Sequence, residues 1–164
     1  MARLRTILCP TDFSACSREA FRLAATLARA KGARLVVLYV NSSLGPMVAF
    51  QGALERLQPP EYGAKLRCLL RDFRVPDARV NVEHRLAEGD PVEVILRVAE
   101  ETGCDVIVLG SHGRTGLNRL VLGSVAERVL RQARCPVITV KLAPTSGSAT
   151  PLATAESVPA ETTV

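Results

Sequence analysis

The sequence has no tryptophan and few other aromatic residues, so its hydrophobic core must be mainly aliphatic. It also has no apolar run long enough for a membrane-spanning helix or a signal peptide, and we expect neither. The five cysteines are scattered, odd in number and without a Cys-x-x-Cys pair, which argues against a metal site or a disulfide framework. We therefore expect reduced thiols in a cytoplasmic protein that does not associate with membranes.

A formal net charge of +5 suits anionic ligands, including both nucleotides and nucleic acid. No basic block and no interleaving of aromatic with basic residues indicates a nucleic-acid platform, so no nucleic-acid partner is predicted. The length of 164 residues fits one domain, which we place at residues 1–141. Residues 142–164 are rich in alanine, threonine, serine and proline and lack basic and aromatic residues, which predicts a disordered tail.

Apolar runs typical of strands alternate with amphipathic helical patterns along residues 1–141. Strands are predicted at 6–9, 35–40, 80–86, 104–109 and 137–140, and helices at 14–31, 62–73, 91–102 and 125–132. This order predicts a doubly wound, five-stranded parallel sheet in a three-layer α/β/α fold of Rossmann-like type. Pro136 and its terminal position favour an edge place for the last strand. Residues 41–60 show no clear element, although 47–57 could include some helix.

A glycine-rich loop between the fourth strand and the last helix is the clearest sign of function. It runs Gly110-Ser111-His112-Gly113, then nine residues, then Gly123-Ser124. Glycines before a helix N-terminus let backbone N–H groups approach an anion, and Ser124 with Glu127 also fits a capping box. The loop is neither a Walker A motif nor Gly-x-Gly-x-x-Gly. A plain surface loop, with Ser124 as an ordinary N-cap, remains an alternative.

Single polar residues near this loop have competing interpretations. Asp12 follows the first strand, where it can contact a ribose or simply cap a turn. His112 can contact a nucleotide or stiffen the loop, and Arg114 can neutralise phosphate charge or lie on the surface. His84 is interpreted as structural. No metal-ligating set is evident, although Mg²⁺ held mainly by phosphates would leave almost no trace in the sequence.

Together these motifs resemble the universal stress protein family across about residues 3–141. The resemblance is carried by the following segments: Pro10-Thr11-Asp12-Phe13-Ser14, Tyr39-Val40, Glu88-Gly89-Asp90-Pro91, Gly110-x₂-Gly113-x₉-Gly123-Ser124, and Cys135-Pro136-Val137-Ile138-Thr139-Val140. It implies the adenine nucleotide alpha hydrolase-like fold and the ATP-binding type of the family.

The resemblance also implies a set of ATP-binding residues. Asp12 would accept from the ribose or orient its loop, the backbone of Val40 would meet the adenine edge, and the N–H groups of Gly113 and Ser124 would meet phosphates. The remaining implied site residues are Pro10, Thr11, Gly110, His112, Arg114, Gly123 and Val125. The family also pairs through its last strand, which implies a homodimer through Val137, Ile138, Thr139 and Val140.

Three functions remain open at this point. The first is a dimeric regulatory module in the stress response that binds ATP with slow or no hydrolysis, because no general base with a positioned partner is evident. The second is a weak ATPase or phosphotransferase in which Asp12 and His112 would handle protons. The third is a dimeric interaction protein whose glycine loop is only structural.

Overall fold

Strands and helices alternate throughout the computed structural model, which describes residues 4–42, 59–75, 77–112 and 122–142. The elements in chain order are β1 (Thr6–Thr11), α1 (Ala15–Lys31), β2 (Arg34–Asn41), α2 (Pro59–Arg71), β3 (Val82–Glu88), α3 (Pro91–Thr102), β4 (Val106–Gly110), α4 (Ser124–Gln132) and β5 (Val137–Val140). Residues 47–57, which could include some helix, lie outside the described residues, as does the predicted tail beyond residue 142.

All strand pairs in the sheet are parallel, and the strand order is β3-β2-β1-β4-β5. This confirms the doubly wound, five-stranded α/β fold and the edge position of β5. No helix within the described ranges is long and apolar enough to cross a bilayer.

The sheet separates two hydrophobic clusters because successive side chains of a strand point to opposite faces. Ile7 and Cys9 of β1 face the cluster that α1 and α2 cover, whereas Leu8 faces the cluster that α3 and α4 cover. The three side chains are fully buried, as is usual for a central strand covered on both faces. The core is therefore mainly aliphatic, as the composition predicts.

The helix boundaries follow from capping residues. Ser14 and Asp90 act as N-caps of α1 and α3, and each side chain accepts hydrogen bonds from backbone N–H groups of the first turn. Gly32 and Gly103 end the same two helices in the left-handed conformation that glycine adopts without strain. These boundaries agree with the sequence prediction.

Several predicted boundaries are wrong, and one of them is the start of β4, which lies at Val106 and not at residue 104. β1 continues through Pro10 to Thr11 instead of ending at the proline. α2 begins at Pro59 and ends at Arg71, because proline is tolerated in the first turn of a helix. β3 begins at Val82, since the N–H of Val80 bonds to the Asp77 carbonyl at 3.0 Å in a turn and so does not join the ladder.

Candidate functional site

The sheet changes its winding direction between β1 and β4. The chain proceeds from β1 outward to β2, and from β4 outward to β5 on the other side. Among the described residues, β1 and β4 pair only through Ile7 with Val106 and Leu8 with Ile107. Their pairing therefore stops well before their carboxyl ends, and the crevice at such a point is where open α/β sheets bind ligands.

Pro10 helps to explain why this pairing stops. Thr6 turns both backbone groups toward β4: its N–H donates to the Asp105 carboxylate at 2.8 Å, and its carbonyl accepts from the Asp105 N–H at 2.9 Å. Backbone groups two residues apart on a strand face the same way, so the nitrogen of Pro10 also faces β4. Proline has no N–H, and it cannot continue the ladder on that side.

The turn between β1 and α1 is fixed by its own side chains. The Thr11 hydroxyl accepts from the Phe13 N–H at 3.1 Å, and the Asp12 carboxylate accepts from the Ser14 N–H at 3.0 Å. Phe13 has a φ of 65°, which is uncommon for a residue with a Cβ. Strained backbone of this kind clusters at binding sites. Asp12 thus shapes the turn, whatever else it contacts.

An aromatic contact joins this turn to the end of β2. The rings of Phe13 and Tyr39 stack at a centroid distance of 4.7 Å and an interplanar angle of 23°. Thr11 is paired with Tyr39 in the sheet, so the turn lies directly beside Val40. The contact places two of the segments expected to hold the nucleoside next to each other. Sequence reasoning missed it, because nothing in the spacing links residues 13 and 39.

Gly110 at the end of β4 is required for close packing against α1. A Cβ atom at this position would lie 3.1 Å from the carbonyl carbon of Cys16 and 3.1 Å from the backbone nitrogen of Ser17. The absence of a side chain therefore brings the end of β4 against the first turn of α1. This contact explains why glycine is needed at position 110, whether or not a phosphate binds nearby.

The two described ends of the glycine-rich loop are held together by backbone hydrogen bonds. The Gly123 N–H donates to the Ser111 carbonyl at 2.7 Å, and the Ser111 N–H donates to the Val140 carbonyl at 2.8 Å. The Ser111 hydroxyl lies 2.9 Å from Nδ1 of His112. Ser111 is almost fully buried and was not among the predicted site residues. Gly113 and Arg114 lie outside the described residues.

The start of α4 differs from the prediction. Ser124 is the first helical residue and Gly123 is the N-cap, so the capping box of Ser124 and Glu127 is wrong. Gly123 has no side chain, and α4 consequently begins without a side-chain cap. The N–H groups of its first turn are left for water or an anion. Val125 is half-buried and packs on the cluster beneath α3 and α4.

The carboxylate of Asp90, the N-cap of α3, has local hydrogen-bond and charge partners. Asp90 accepts from the N–H groups of Glu93 and Val92 and lies 3.6 Å from Arg128 on α4. The backbone hydrogen bond from Glu93, and then the charge of Arg128, lower the pKa of Asp90. Within the part of the chain that the structure describes, no group of three or more histidine, cysteine or acidic residues is placed to hold a metal ion. Protein ligands for Mg²⁺ are therefore not evident there.

Comparison with known proteins gives a consistent result. Residues 3–141 match the model of the universal stress protein family. The universal stress protein MJ0531 of Methanocaldococcus jannaschii is 35% identical over 141 residues, which cover 84% of this chain and 82% of that protein.

Solved structures with a similar fold are also universal stress proteins. Universal stress protein UspA from Lactobacillus plantarum has a TM-score of 0.67 and 28% identity, covering 85% of this chain and 99% of that chain. A universal stress protein solved in complex with cAMP has a TM-score of 0.62 and 25% identity, with coverage of 85% and 98%.

Proposed function

The chain belongs to the universal stress protein family, and we propose that it binds an adenine nucleotide, ATP above all, at the carboxyl edge of the sheet between β1 and β4. The uncapped first turn of α4 carries this proposal. This turn begins at Gly123 without a side-chain cap, and the N–H of Gly123 itself donates to the carbonyl of Ser111 just after β4. A relative solved with cAMP supports the same class of ligand.

The nucleoside would be held by the turn after β1 and the end of β2. Asp12 would accept from the ribose, the backbone of Val40 would meet the adenine edge, and Pro10 and Thr11 would form the floor. The fixed shape of the turn means that little ordering entropy is lost when the nucleoside binds. The stacking of Phe13 on Tyr39 supports this proposal because it keeps both segments side by side.

The phosphates would be held by the glycine-rich loop and the start of α4. N–H groups of Gly113 and Ser124 would donate to phosphate oxygens, with Gly110, Gly123 and Val125 shaping the backbone around them. Arg114 would neutralise phosphate charge, and His112 would contact the nucleotide. Mg²⁺ would be bound mainly by phosphates and water, which fits the absence of an acidic cluster from the described residues.

Titration calorimetry with Mg-ATP tests the binding site. Gly113→Val places a branched side chain where a phosphate should lie, and we expect a large loss of affinity. Gly116→Val is the matched control, because it makes the same change in the same loop but outside the Gly-x₂-Gly-x₉-Gly-Ser spacing. Equal affinity of the Gly113→Val variant and the parent would show that this loop is not the phosphate site.

We further propose that the protein acts as a regulatory module in the stress response, in the cytoplasm, with slow or no hydrolysis. Asp12 and His112, the candidate proton handlers, both make hydrogen bonds that hold their loops: Asp12 with the Ser14 N–H and His112 with the Ser111 hydroxyl. A steady-state turnover below roughly one per second is expected. A faster turnover that Asp12→Ala abolishes would instead favour the weak ATPase.

We also propose a homodimer through the free edge of β5, residues Val137, Ile138, Thr139 and Val140. The Pro136 carbonyl accepts from the Ile107 N–H of β4, and the Val140 carbonyl accepts from the N–H of Ser111, just after β4. Residues 137 and 139 therefore turn their backbone groups toward the open edge. A row of unpaired backbone groups favours pairing with a second copy.

Substitutions at the β5 edge test the dimer with little effect on the core. Ile138 packs on the cluster beneath α1, so Ile138→Asp would report on folding as well as on assembly. Thr139 is exposed, and Thr139→Pro removes only an N–H that faces the open edge. Light scattering behind size exclusion should give dimers for the parent and for Thr139→Val, and monomers for Thr139→Pro. A parent that is monomeric at tens of micromolar contradicts the proposal.

A further inference from the structure

Two thiols lie close together at the end of the sheet opposite to the candidate nucleotide site. Cys104 lies two residues before β4 and Cys135 two residues before β5, and their Sγ atoms are 3.6 Å apart. Both cysteines are free thiols. They are separated by 31 positions in the chain, so the fold brings them together. No sequence spacing indicates the pair.

Backbone hydrogen bonds on both sides hold the two thiols in place. The Cys104 N–H donates to the Ala99 carbonyl at 3.0 Å, which fixes the end of α3 to the start of β4. The Ile107 N–H donates to the Pro136 carbonyl at 3.0 Å, which fixes β4 to the residue after Cys135. The short distance between the sulfur atoms is therefore a property of the sheet and does not depend on flexible side chains alone.

We propose that Cys104 and Cys135 are a redox-modification site that forms a reversible intramolecular disulfide on exposure to a peroxide. The sulfur of Cys135 attacks a peroxide oxygen, gives a sulfenic acid and releases water (or an alcohol from an organic peroxide). The sulfur of Cys104 then attacks the sulfenic sulfur, and its proton leaves with the hydroxide as water. Two thiols are oxidised to one disulfide while one peroxide is reduced.

The surroundings of the two thiols set this order of steps. Cys135 is half-buried, whereas the side chain of Cys104 is buried between α3 and β4. Burial, and then the neighbouring Cys135, raise the pKa of Cys104, which disfavours its thiolate as the first nucleophile. The more accessible Cys135 therefore meets the oxidant, and the adjacent Cys104 resolves the sulfenic acid before further oxidation.

The disulfide would link the two ends of a unit that contains β4, the glycine-rich loop and α4. The sulfur atoms need to approach by about 1.5 Å to reach the length of a disulfide bond, which small side-chain rotations can supply. A cross-link that closes a loop of this length restricts the unfolded chain. The oxidised protein should therefore unfold at a higher temperature than the reduced protein, and a reductant should reverse the change.

Peptide mapping after hydrogen peroxide treatment tests the proposal. Cys68 is exposed, so a Cys68→Ser background removes the thiol best placed for links between molecules. Trypsin releases Cys104 in residues 98–114 and Cys135 in residues 135–141, each as the single cysteine of its peptide. The expected product is these two peptides joined, with a mass two hydrogens below their sum, and separated by dithiothreitol.

Single-cysteine variants provide the controls. Cys104→Ser and Cys135→Ser in the same background should give no joined peptide and no gain in thermal midpoint, whereas Cys16→Ser should keep both. Complete alkylation of Cys104 and Cys135 after a peroxide dose that oxidises Cys68 in the parent would overturn the proposal. So would sulfinic acid at Cys135 without a joined peptide, or a disulfide only between molecules. None of these outcomes depends on nucleotide binding.

Discussion

Replacing Gly110 with alanine should destabilise the fold, although alanine is normally acceptable in a strand. A Cβ at residue 110 would lie 3.1 Å from two backbone atoms of α1 and 3.2 Å from Sγ of Cys16. The thiol can rotate, but the backbone of Cys16 and Ser17 cannot move without shifting the first turn of α1. That turn follows the Asp12–Ser14 segment, so the same shift should also weaken nucleotide binding.

The expected loss of stability comes from two opposing effects. Overpacking of a well-packed interface typically costs about 1–3 kcal/mol. Alanine also lowers the conformational entropy of the unfolded chain relative to glycine, which stabilises the folded protein by about 0.4–1 kcal/mol. We therefore expect a net loss of about 1–2 kcal/mol, which corresponds to a fall of roughly 3–6 °C in thermal midpoint for a domain of this size.

Gly63→Ala is a matched control with the opposite expected sign. Gly63 lies inside α2, where an added Cβ would make only an ordinary contact of 3.4 Å with the Arg67 side chain. Removing a glycine from a helix interior should stabilise by about 0.5–1 kcal/mol. Urea and thermal unfolding measure both variants. If Gly110→Ala is as stable as the parent, the close packing of β4 on α1 is not what requires this glycine.

Three further outcomes are expected. Hydrogen bonds from the N–H groups of Arg5 and then Thr6 lower the pKa of Asp105, so its contribution to stability is complete above about pH 4 and is lost as the pH falls through the folded-state pKa. Asp105→Asn should therefore lower the thermal midpoint more at pH 7 than at acidic pH, and a gap that does not shrink as the pH falls contradicts this. Deletion of residues 145–164 should leave the thermal midpoint and ATP affinity unchanged, and a clear loss of either would show that the tail docks on the domain. Arg128→Ala should weaken the contact of α4 with Asp90 only slightly, because ion pairs this exposed contribute little, and calorimetry should find nearly unchanged ATP affinity.

Much of the fold could be predicted because local signals and tertiary structure agree. Asp90-Pro91 predicts the start of a helix, Gly103 predicts its end, and the continuous apolar runs predict buried strands. The alternation of strands and helices predicts a parallel sheet, which the structure has. The boundaries that failed are those where tertiary context decides. β1 can continue through Pro10 because the Pro10 nitrogen faces β4, and β1 and β4 are not paired at that position.

The sequence predicts a location for the site but not the contacts around it. The glycine spacing and the strand ends predict a site at the carboxyl edge of the sheet. However, the stacking of Phe13 on Tyr39 and the burial of Ser111 depend on elements far apart in the chain. The N-cap of α4 was misplaced because serine is the usual capping residue, whereas here a glycine occupies that position and Ser124 is the first helical residue.

The hydrogen bond between the Gly123 N–H and the Ser111 carbonyl has a consequence for how this protein can diversify. The bond joins backbone groups, so it does not itself depend on which side chains lie between them. It also fixes the spacing of the loop ends, and the entropy of closing a loop rises only slowly with its length. The pairing of these two anchors therefore does not by itself restrict the sequence or the length of the segment between them.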